Sequence, residues 1–415
     1  MSADDSKFET MGPIGTFVLA REVDYLSTPP AQRAFVFRHM DEVEHNPTRQ
    51  VRHGDFLREL STGTPIDIDV VIDGNRENID SFMDRYGLAA LIVVKDGKVR
   101  AERYKFGNMP SSRMVVQSVT KSVASTALGI AIYNGKIASL DDTISKYVPE
   151  LNGTAYGAVT IRAIANMTSG VRPPHGPAPS NPLEDTLRVA YYDTDKNAVL
   201  RWLATHETYA EPGAAYEYTD INYYVVSFVV TRAVCMPLAQ YISEKIWKPA
   251  GMEHDAFMRT THAGQEDGHG GMAMTLRDMA RFGMFVMDAV KGERGPDVPA
   301  DWFATISRAQ TSSTGVRAPG AIDLAPDFGY ELGWWTLPRG RDYYELGDDG
   351  SFAALGYYGQ AIYIVPGQNT IIALQSANTY HNPELFLREK KLTTAIVLGL
   401  KENDRESLQC ISCHA

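Results

Sequence analysis

The chain has 415 residues, of which 44% are hydrophobic, so it is long enough to bury one large core or two interleaved ones. Its 40 lysines and arginines against 51 aspartates and glutamates give a formal net charge of -11, which repels nucleic-acid phosphates and anionic membrane surfaces. The longest strictly apolar stretches, such as residues 88–94, are far shorter than the roughly 20 residues that span a bilayer. We therefore expect a soluble protein with neither a nucleic-acid nor a membrane partner, and the sequence leaves a homodimer open.

Residues 1–75 are polar and interrupted by prolines, which predicts short helices or an arm laid on a larger body. The N-terminus lacks the basic region and apolar core of a secretory signal, so we expect a cytoplasmic protein, although a mature periplasmic protein would lack them too. His39, Glu42, Glu44 and His45 do not have the spacing of a zinc motif, which favours a solvated helical face over a metal site.

Two β-hairpins are predicted near opposite ends of the chain. In the first, LAALIVV (88–94) and VRAERYKF (99–106) flank an Asp-Gly turn. In the second, AIYIVP (361–366) and TIIALQS (370–376) flank the turn Gly-Gln-Asn. The two ends of the chain therefore supply similar strand pairs to one sheet.

Helical patterns lie next to both hairpins, at residues 76–86 and 384–400, and most of the chain between the hairpins is also helical in pattern. This order predicts an α+β fold: an antiparallel sheet built from both chain ends as an α/β sandwich with flanking helices, plus a mostly helical inserted domain. The expected boundaries are an N-terminal arm over 1–75, the sandwich over 76–135 and 310–405, the helical domain over 136–309, and a C-terminal tail over 406–415.

The segment QSVTKSVAS (117–125) places Ser118 three residues before Lys121, at the start of a small and apolar run that ends at Asn134-Gly135. Positions i and i+3 share a helix face, so the serine Oγ and the lysine Nζ can meet on the first turn. Burial and the helix N-terminus would lower the pKa of Lys121 until a neutral amine can accept a proton. From these residues alone two interpretations stay open: a nucleophile with its general base, or a capping serine with a solvated lysine.

Other chemistries find less support. The segment ELSTG (59–63) lacks the first glycine of a lipase-type GxSxG elbow, and GHGG (268–271) lacks the ending of a phosphate-binding loop and is read as a tight turn. Three cysteines are too few for a disulfide framework. Cys410 to His414 spell the haem-attachment motif CxxCH, but too little chain follows to enclose a porphyrin. We expect no metal and no organic cofactor.

Several segments beyond the serine carry a family resemblance, which extends from about residue 85 to about residue 380. They are GKIASLDDTISKYVPEL (135–151), TIRAIANMTSGV (160–171), PGAAYEYTDIN (212–222), EKIWKPAGMEHDAF (244–257), GGMAMTLRDMARFG (270–283), GYELGWW (329–335) and GQAIYIVP (359–366). Together they resemble the serine β-lactamase and penicillin-recognising superfamily, in particular the class C β-lactamase-like esterases and the 6-aminohexanoate-dimer hydrolases. The resemblance implies a β-lactamase-like fold and acyl-enzyme chemistry at Ser118 with Lys121.

The family's second element is a tyrosine followed two residues later by Asn, Ser or Asp, and it maps to Tyr218 and Asp220. By resemblance, Tyr218 would pass the proton between Ser118, Lys121 and the leaving group. A phenol near an ammonium is expected to have a lowered pKa, which suits that role. Asp220 stands where β-lactamases carry Asn, and its carboxylate would favour the charged lysine unless it turns to the substrate or to Asn222.

The family's third element is Lys-Thr-Gly on a strand beside the serine, and the matching place is assigned to Tyr357-Tyr358-Gly359-Gln360. The missing lysine is the cation that would receive a β-lactam carboxylate, which argues against β-lactamase as the main activity. Gly359 would let the strand approach closely, and the Gln360 N–H would join that of Ser118 as an oxyanion donor. The two tyrosines are expected to line the pocket.

The sequence therefore predicts a serine hydrolase that cleaves a small-molecule ester or amide through an acyl-enzyme. The alternative is a non-hydrolytic ligand-binding or sensor protein on the same scaffold, and a weaker alternative is a β-lactamase. The natural substrate stays open, since the Pro-rich stretch 171–200 shapes the pocket and its Asp185, Asp193 and Asp195 are either solvated or placed to meet an amino group. The expected substrate-binding residues are Asp220, Asn222, Tyr357, Tyr358 and Gly359.

Overall fold

The computed structural model describes residues 29–42, 47–66, 68–72, 74–173, 195–308, 316, 328–337, 350–378 and 388–401. In chain order, the strands of these residues are β1 (Thr48–Val51), β2 (Ser61–Thr62), β3 (Asp69–Ile72), β4 (Asn75–Asn78), β5 (Leu88–Lys95), β6 (Lys98–Tyr104), β7 (Met114–Val115), β8 (Val171–Arg172), β9 (Glu207–Thr208), β10 (Ala256–Arg259), β11 (Met272–Met274), β12 (Gly329–Glu331), β13 (Trp334–Thr336), β14 (Phe352–Gly356), β15 (Gln360–Val365) and β16 (Thr370–Ser376).

The helices of the same residues are α1 (Pro30–Arg38), α2 (Ile79–Tyr86), α3 (Val119–Tyr133), α4 (Ala155–Ala158), α5 (Ile161–Ala165), α6 (Ala198–Leu203), α7 (Asp220–Val234), α8 (Leu238–Ile242), α9 (Lys248–Ala250), α10 (Leu276–Val290), α11 (Trp302–Arg308) and α12 (388–401). Short 3-10 turns cover Ile144–Lys146, Pro149–Leu151, Tyr357–Gly359 and Pro366–Gln368, and a π-helical turn, Ser243–Trp247, joins α8 to α9.

The main sheet is built from both ends of the chain, as the two hairpins predicted. Its strand order is β12-β13-β14-β15-β16-β5-β6-β2, and every pairing is antiparallel except that of β2 with β6. The N-terminal hairpin turns at Asp96 and Gly97, which both have positive φ, as an Asp-Gly hairpin turn requires. The predicted α+β class and the antiparallel sheet from both termini are confirmed.

The centre of the main sheet is covered on both faces. Every residue of β5 and of β16 is buried, which explains why both strands read as continuous apolar runs rather than as alternating patterns. Helix α3 packs on β14 and β15, and α10 packs on β15, β16 and β5. A Cβ on Gly283 of α10 would lie 2.7 Å from Ile371 Cγ2. Helix α10 therefore belongs against the sheet, although it lies inside the range expected for the helical domain.

A second, four-stranded antiparallel sheet has the order β1-β10-β11-β7. The helical pattern of residues 136–309 did not indicate β10 and β11, because strands of three or four residues are too short to show a period. The sequence also predicted helix from residue 76, whereas the chain pairs as β4 first and α2 begins after Asn78. Asn78 and Ser81 form a capping box that fixes this boundary.

The described part of the N-terminal arm lies on the body, with β1 paired to β10 and β2 to β6. Arg33 of α1 is buried and donates to the carbonyl oxygens of Ala377, at 3.0 Å, and Asn378. Glu44, His45, Asp185, Asp193, the tail 406–415 and its CxxCH motif lie outside the described residues. In the described part, no single helix is both long and apolar enough to cross a membrane; one pair, Asp220–Val234 with Leu238–Ala250, meets the length and composition together but is bent by 74°.

Candidate active site

Ser118 stands at the N-cap of α3 but does not cap the helix. Its φ of −66° and ψ of −5° are helical rather than extended, and its side chain makes no capping hydrogen bond. The residue before it, Gln117, has a φ of 50°, in the left-handed region that most side chains avoid. The Ser118 hydroxyl therefore points to a partner other than its own helix end.

That partner is Lys121. Its Nζ lies 2.6 Å from Ser118 Oγ, 2.7 Å from Asp220 Oδ1 and 2.8 Å from the His269 carbonyl oxygen. The side chain is only 1% exposed, which excludes the solvated lysine. Burial lowers the pKa of Lys121, while the charge and hydrogen bond of Asp220 act in the opposite direction. The amine is thus dry and held against the serine by two further oxygen atoms.

Tyr218 is the third member of the group, and its ring centroid lies 5.0 Å from Lys121 Nζ. The ring is stacked on Trp335 at 5.3 Å and meets Tyr330 edge-on at 5.6 Å. Burial and the charge of Asp220 raise the pKa of Tyr218, and a hydrogen bond with Ser118 only partly opposes this. The expected lowering of this pKa is therefore wrong, because burial and the Asp220 carboxylate both favour the neutral phenol, which can act as a proton donor.

Asp220, the first residue of α7, turns towards the lysine and not towards Asn222. Burial alone would raise the pKa of Asp220, but Lys121 and His269 hold it below its ordinary value. Asn222 is fully buried, with its Nδ2 3.7 Å from Met167 Sδ. It presents no surface to a substrate, so its expected role in substrate binding is not supported.

The strand that passes the serine does so at Gly356, the last residue of β14. A Cβ on Gly356 would lie 2.6 Å from the Val116 carbonyl oxygen and 3.0 Å from Ser118 N. Since real Cβ atoms do not come so near a carbonyl oxygen, only glycine fits here. The close approach expected at Gly359 is therefore made by Gly356, three residues earlier.

Gly359 and Gln360 have other contacts. Gly359 has a φ of 90°, and a Cβ there would collide with the Glu389 carboxylate rather than with the serine. The Gln360 side chain is buried and bonds both the N–H and the carbonyl oxygen of Ser376. In the antiparallel register Gln360 is the partner of Gly356. It therefore lies one strand away from the residue that touches Ser118, which does not favour Gln360 as the oxyanion donor.

Tyr357 and Tyr358 are both half-buried, but they face different surroundings. Tyr358 has a φ of 64°, its ring is 4.9 Å from that of Phe37, and the Arg33 guanidinium lies 5.6 Å from its centroid. Tyr358 thus packs on α1, which favours a structural role over contact with a substrate. Tyr357 follows Gly356 directly and stays the better candidate for contact with a substrate.

Sequence reasoning missed two residues behind Lys121. His269 Nδ1 contacts Asp267 Oδ1, and its Nε2 lies 3.9 Å from Asp220 Oδ2. The segment Gly268-His269-Gly270-Gly271 was interpreted as a tight turn, because nothing local indicated that it meets the serine helix. Among the described residues, no group of three or more His, Cys, Asp or Glu side chains is placed to hold a metal ion.

Comparisons with known proteins assign the chain to a family. Residues 75–393 match the beta-lactamase family model, which is more than half of the chain. The chain belongs to the beta-lactamase family. A 6-aminohexanoate-dimer hydrolase of Paenarthrobacter ureafaciens is 23% identical over 349 residues, which cover 81% of this chain and 86% of that protein. Protein flp of Staphylococcus aureus strain MW2 is 25% identical over 193 residues, covering 44% of this chain and 37% of flp.

Solved structures show the same fold. A putative 6-aminohexanoate-dimer hydrolase from Bacillus anthracis has a TM-score of 0.76 at 24% identity, covering 91% of this chain and 96% of that one. EstCE1, a hydrolase with promiscuous acyltransferase activity, has a TM-score of 0.57 at 15% identity, covering 75% of this chain and 96% of its own. The family and these relatives indicate a hydrolase of the β-lactamase fold.

Within this family, the place of Lys-Thr-Gly can now be reassigned. Because Gly356 is the strand residue beside the serine, the approach expected from Tyr357-Tyr358-Gly359 is made by Ala354-Leu355-Gly356. The β-lactamase lysine is then replaced by Ala354, which is fully buried.

Proposed function

We propose that this protein is a serine hydrolase that cleaves a small-molecule ester or amide through an acyl-enzyme. The observation that carries the proposal is the contact of 2.6 Å between Ser118 Oγ and the buried Nζ of Lys121. A dry amine loses its proton more easily than one in water, and in the neutral form its lone pair would face the serine hydroxyl. A serine that only capped the helix would not need this contact with a buried amine.

In the proposed first step, Ser118 Oγ bonds to the substrate carbonyl carbon while its proton passes to Lys121. The bond from that carbon to the alcohol or amine then breaks, and Tyr218 donates the proton that the leaving group needs, drawing on Lys121. In the second step, water gives its proton to the same pair, its oxygen attacks the acyl carbon, and Ser118 leaves with a proton. The raised pKa of Tyr218 suits a phenol that passes protons without resting as an anion.

The oxyanion of both steps is assigned to the N–H groups of Ser118 and Tyr357. Gly356 abuts Ser118 N, and the peptide group that follows Gly356 carries the Tyr357 N–H. Two converging backbone donors stabilise the negative oxygen of a tetrahedral intermediate. This pair replaces the earlier pair of Ser118 and Gln360.

A fluorophosphonate probe followed by peptide mapping tests the nucleophile. We expect one label, on Ser118, and loss of both labelling and turnover in Ser118→Ala. The matched control is Ser122→Ala, one turn along the same helix, where the hydroxyl donates to the Gly333 carbonyl oxygen at 2.7 Å. A label on another serine, or turnover that survives in Ser118→Ala, would end the proposal.

The substrate class is the finer part of the proposal. With Ala354 in place of a lysine, no cation from this tripeptide receives a substrate carboxylate, so we expect a chromogenic cephalosporin to be the poorest of three substrates. The other two are p-nitrophenyl butyrate, for esters, and the 6-aminohexanoate dimer, for amides. Cephalosporin hydrolysis faster than both would revive the β-lactamase alternative.

The ion pair of Lys121 with Asp220 favours a second candidate, a sensor that is acylated without turnover. All three lysine protons have an oxygen acceptor, which stabilises the ammonium and would slow the attack of water on the acyl-enzyme. Burst kinetics with p-nitrophenyl butyrate separate the two functions. One equivalent of nitrophenol followed by no further release indicates a sensor, whereas continued release indicates a hydrolase.

A further inference from the structure

The segment that carries Tyr218 is extended up to Thr219, which has a φ of −139° and a ψ of 131°. Side chains alternate along an extended chain, so Tyr216 and Tyr218 share one face and Glu217 takes the other. The rings of Tyr216 and Tyr218 both contact that of Tyr330, with centroids 6.2 and 5.6 Å away. Glu217 is therefore next to the proposed proton donor in the chain but turns away from the active site.

Glu217 is bonded to one neighbouring segment through both its main chain and its side chain. Its N–H donates to the Met167 carbonyl oxygen at 2.8 Å. Its carboxylate accepts from Arg172 Nε, at 3.0 Å for Oε1 and 2.8 Å for Oε2. The side chains of Arg172 and Glu217 are 13% and 20% exposed, so salt screens this ion pair less than one on the surface. The residue before Tyr218 is therefore fixed at two points.

Arg172 is itself held in the hairpin of β8 and β9. Its guanidinium carbon lies 4.0 Å from the centroid of the Tyr209 ring, the geometry of a cation–π contact. The Tyr209 N–H donates to the Gly170 carbonyl oxygen at 2.8 Å, which keeps that ring beside β8. Burial and the charge of Glu217 raise the pKa of Tyr209, so its phenol stays neutral next to the ion pair. The guanidinium is thus a fixed point to which Glu217 can be bonded.

The position of the main chain before Tyr218 matters for its work as a proton donor. A general acid must lie within hydrogen-bond reach of the leaving group, and a misplacement of 1 Å can cost about 10²-fold in rate. Stacking on Trp335 fixes the plane of the Tyr218 ring. How far the phenol oxygen extends from that plane's edge depends on the main chain, and the ion pair of Arg172 acts on the adjacent residue.

We propose that Arg172 and Glu217 are positioning residues for Tyr218: their ion pair, on the face opposite the phenol, fixes the main chain so that the phenol O–H reaches the leaving group. The inference rests on the proposed function, because it assigns a support to the proton donor of that same site. The pair acts through Tyr218. Its loss should therefore weaken the protonation of the leaving group more than the attack of Ser118.

The experiment compares two butyrate esters of similar shape whose leaving groups differ in their need for a proton. p-Nitrophenol leaves readily as an anion, whereas the more basic phenol gains from protonation. The leaving-group ratio is the acylation rate with phenyl butyrate divided by that with p-nitrophenyl butyrate, each measured from the first equivalent released. In Glu217→Ala this ratio should fall by about fivefold. In Glu217→Gln, whose amide oxygen can still accept from Arg172, it should stay within about twofold of the wild type.

A double-mutant cycle isolates the action through the phenol. In the Tyr218→Phe background no phenol is left to position, so Glu217→Ala should change the ratio by less than about twofold. The matched control is Asp288→Ala, which breaks the ion pair of Arg58 with Asp288, at 2.6 Å and with side chains 25% and 15% exposed. It should lower the melting temperature, as Glu217→Ala does, and leave the ratio unmoved.

Three results overturn the inference alone: an unmoved ratio in folded Glu217→Ala, an equal fall in the Tyr218→Phe background, or an equal fall in Asp288→Ala. If Glu217→Ala unfolds, Arg172→Met decides in its place, because it removes the same ion pair and should lower the ratio in the same way. An unmoved ratio in Arg172→Met then overturns the inference. A wild-type protein that is not labelled at Ser118 by a fluorophosphonate overturns the proposed function, and this inference with it.

Discussion

Helix α3 contains two regions that are equally buried and differ in what their polar side chains bond. In the later turns, Ser122 donates to the Gly333 carbonyl oxygen, Ser125 to that of Leu332, and Thr126 to that of Ser122. On the first turn, Ser118 bonds the side chain of Lys121, which in turn bonds a carboxylate.

The difference separates structural from functional polar groups. A hydroxyl that donates to a main-chain carbonyl satisfies a buried acceptor and has nothing to exchange with it. A hydroxyl against an amine of lowered pKa can lose its proton to that partner. Burial and residue type are alike in the two regions, so the partner decides which serine is a nucleophile.

The largest expected effect comes from removing that partner. Lys121→Met keeps the length of the side chain and removes its amine, so kcat/KM for p-nitrophenyl butyrate should fall by about 10³-fold, the size of a general-base contribution. Thr126→Val, in the later turns, should change stability and leave kcat/KM within a few-fold. If Lys121→Met retains more than a tenth of the wild-type activity while folded, the two regions do not differ in the way described.

The next largest effect is expected at Gly356, which lies beside Ser118, and it is compared with that of Gly129 in the later turns of α3. In Gly356→Ala the new Cβ would lie 2.6 Å from the Val116 carbonyl oxygen, so the turn must move from Ser118, and we expect kcat to fall by about 10²-fold, as for a lost oxyanion donor. Gly129→Ala, near the far end of α3, places a Cβ 2.9 Å from Trp302 Cε2. It should cost about 1–3 kcal/mol of stability and leave kcat unchanged. Equal losses of kcat in both variants would contradict the assignment of Gly356.

Some features of the site could be predicted from the sequence, and the choice between two glycines could not. The first hairpin was predicted because Asp96-Gly97 fixes its turn locally, and the pair of Ser118 with Lys121 because three residues are less than one helical turn. The choice between Gly356 and Gly359 could not be made in this way. Both glycines are in one tight turn, and the one that meets the serine is decided by packing between segments more than 200 residues apart.

The direction of Asp220 was undecidable for the same reason. The sequence allowed it to face the substrate, Asn222 or Lys121, and its contact with the lysine arises only when α7 is packed on α3. The fall expected for the Tyr218 pKa was wrong because that expectation left out burial, the largest cause of the rise, and the carboxylate of Asp220. Residues adjacent in sequence were therefore predictable, whereas the balance of charges across elements was not.

Glu389 is a buried carboxyl whose partner is an uncharged amide, whereas Asp220 faces the ammonium group of Lys121. Glu389 accepts from Asn378 at 2.9 Å, and burial raises its pKa from 4.5 to about 8. A carboxyl whose pKa is higher folded than unfolded contributes stability below pH 4.5 and loses it as the pH rises to about 8. Over that interval the wild type should lose stability steadily relative to Glu389→Gln in chemical unfolding, by about 1 kcal/mol per pH unit.

The control for Glu389 is Glu102, whose pKa has the opposite direction. Burial would raise the pKa of Glu102, but hydrogen bonds from Arg277 and Tyr104 bring it below 4.5. Its contribution is therefore present above that pH and lost as the pH falls, so Glu102→Gln should be least harmful in acid. If Glu389→Gln follows the wild-type curve in parallel from pH 4.5 to 8, or if Glu102→Gln follows it in parallel as the pH falls below 4.5, that carboxyl does not have the environment described.

The smallest effect concerns the N-terminal arm. Arg33 bonds the carbonyl oxygens of Ala377 and Asn378 and lies over Tyr358, in the turn after Gly356, whereas Arg38 on the same helix bonds Phe106 and Asn108 away from that turn. Arg33→Met and Arg38→Met should each cost about 1–3 kcal/mol in thermal unfolding, because each removes two hydrogen bonds. Only Arg33→Met should also lower kcat, by a few-fold, since it frees the turn that carries the Tyr357 N–H. An equal kcat in the two variants would show that α1 stabilises the fold without holding the site.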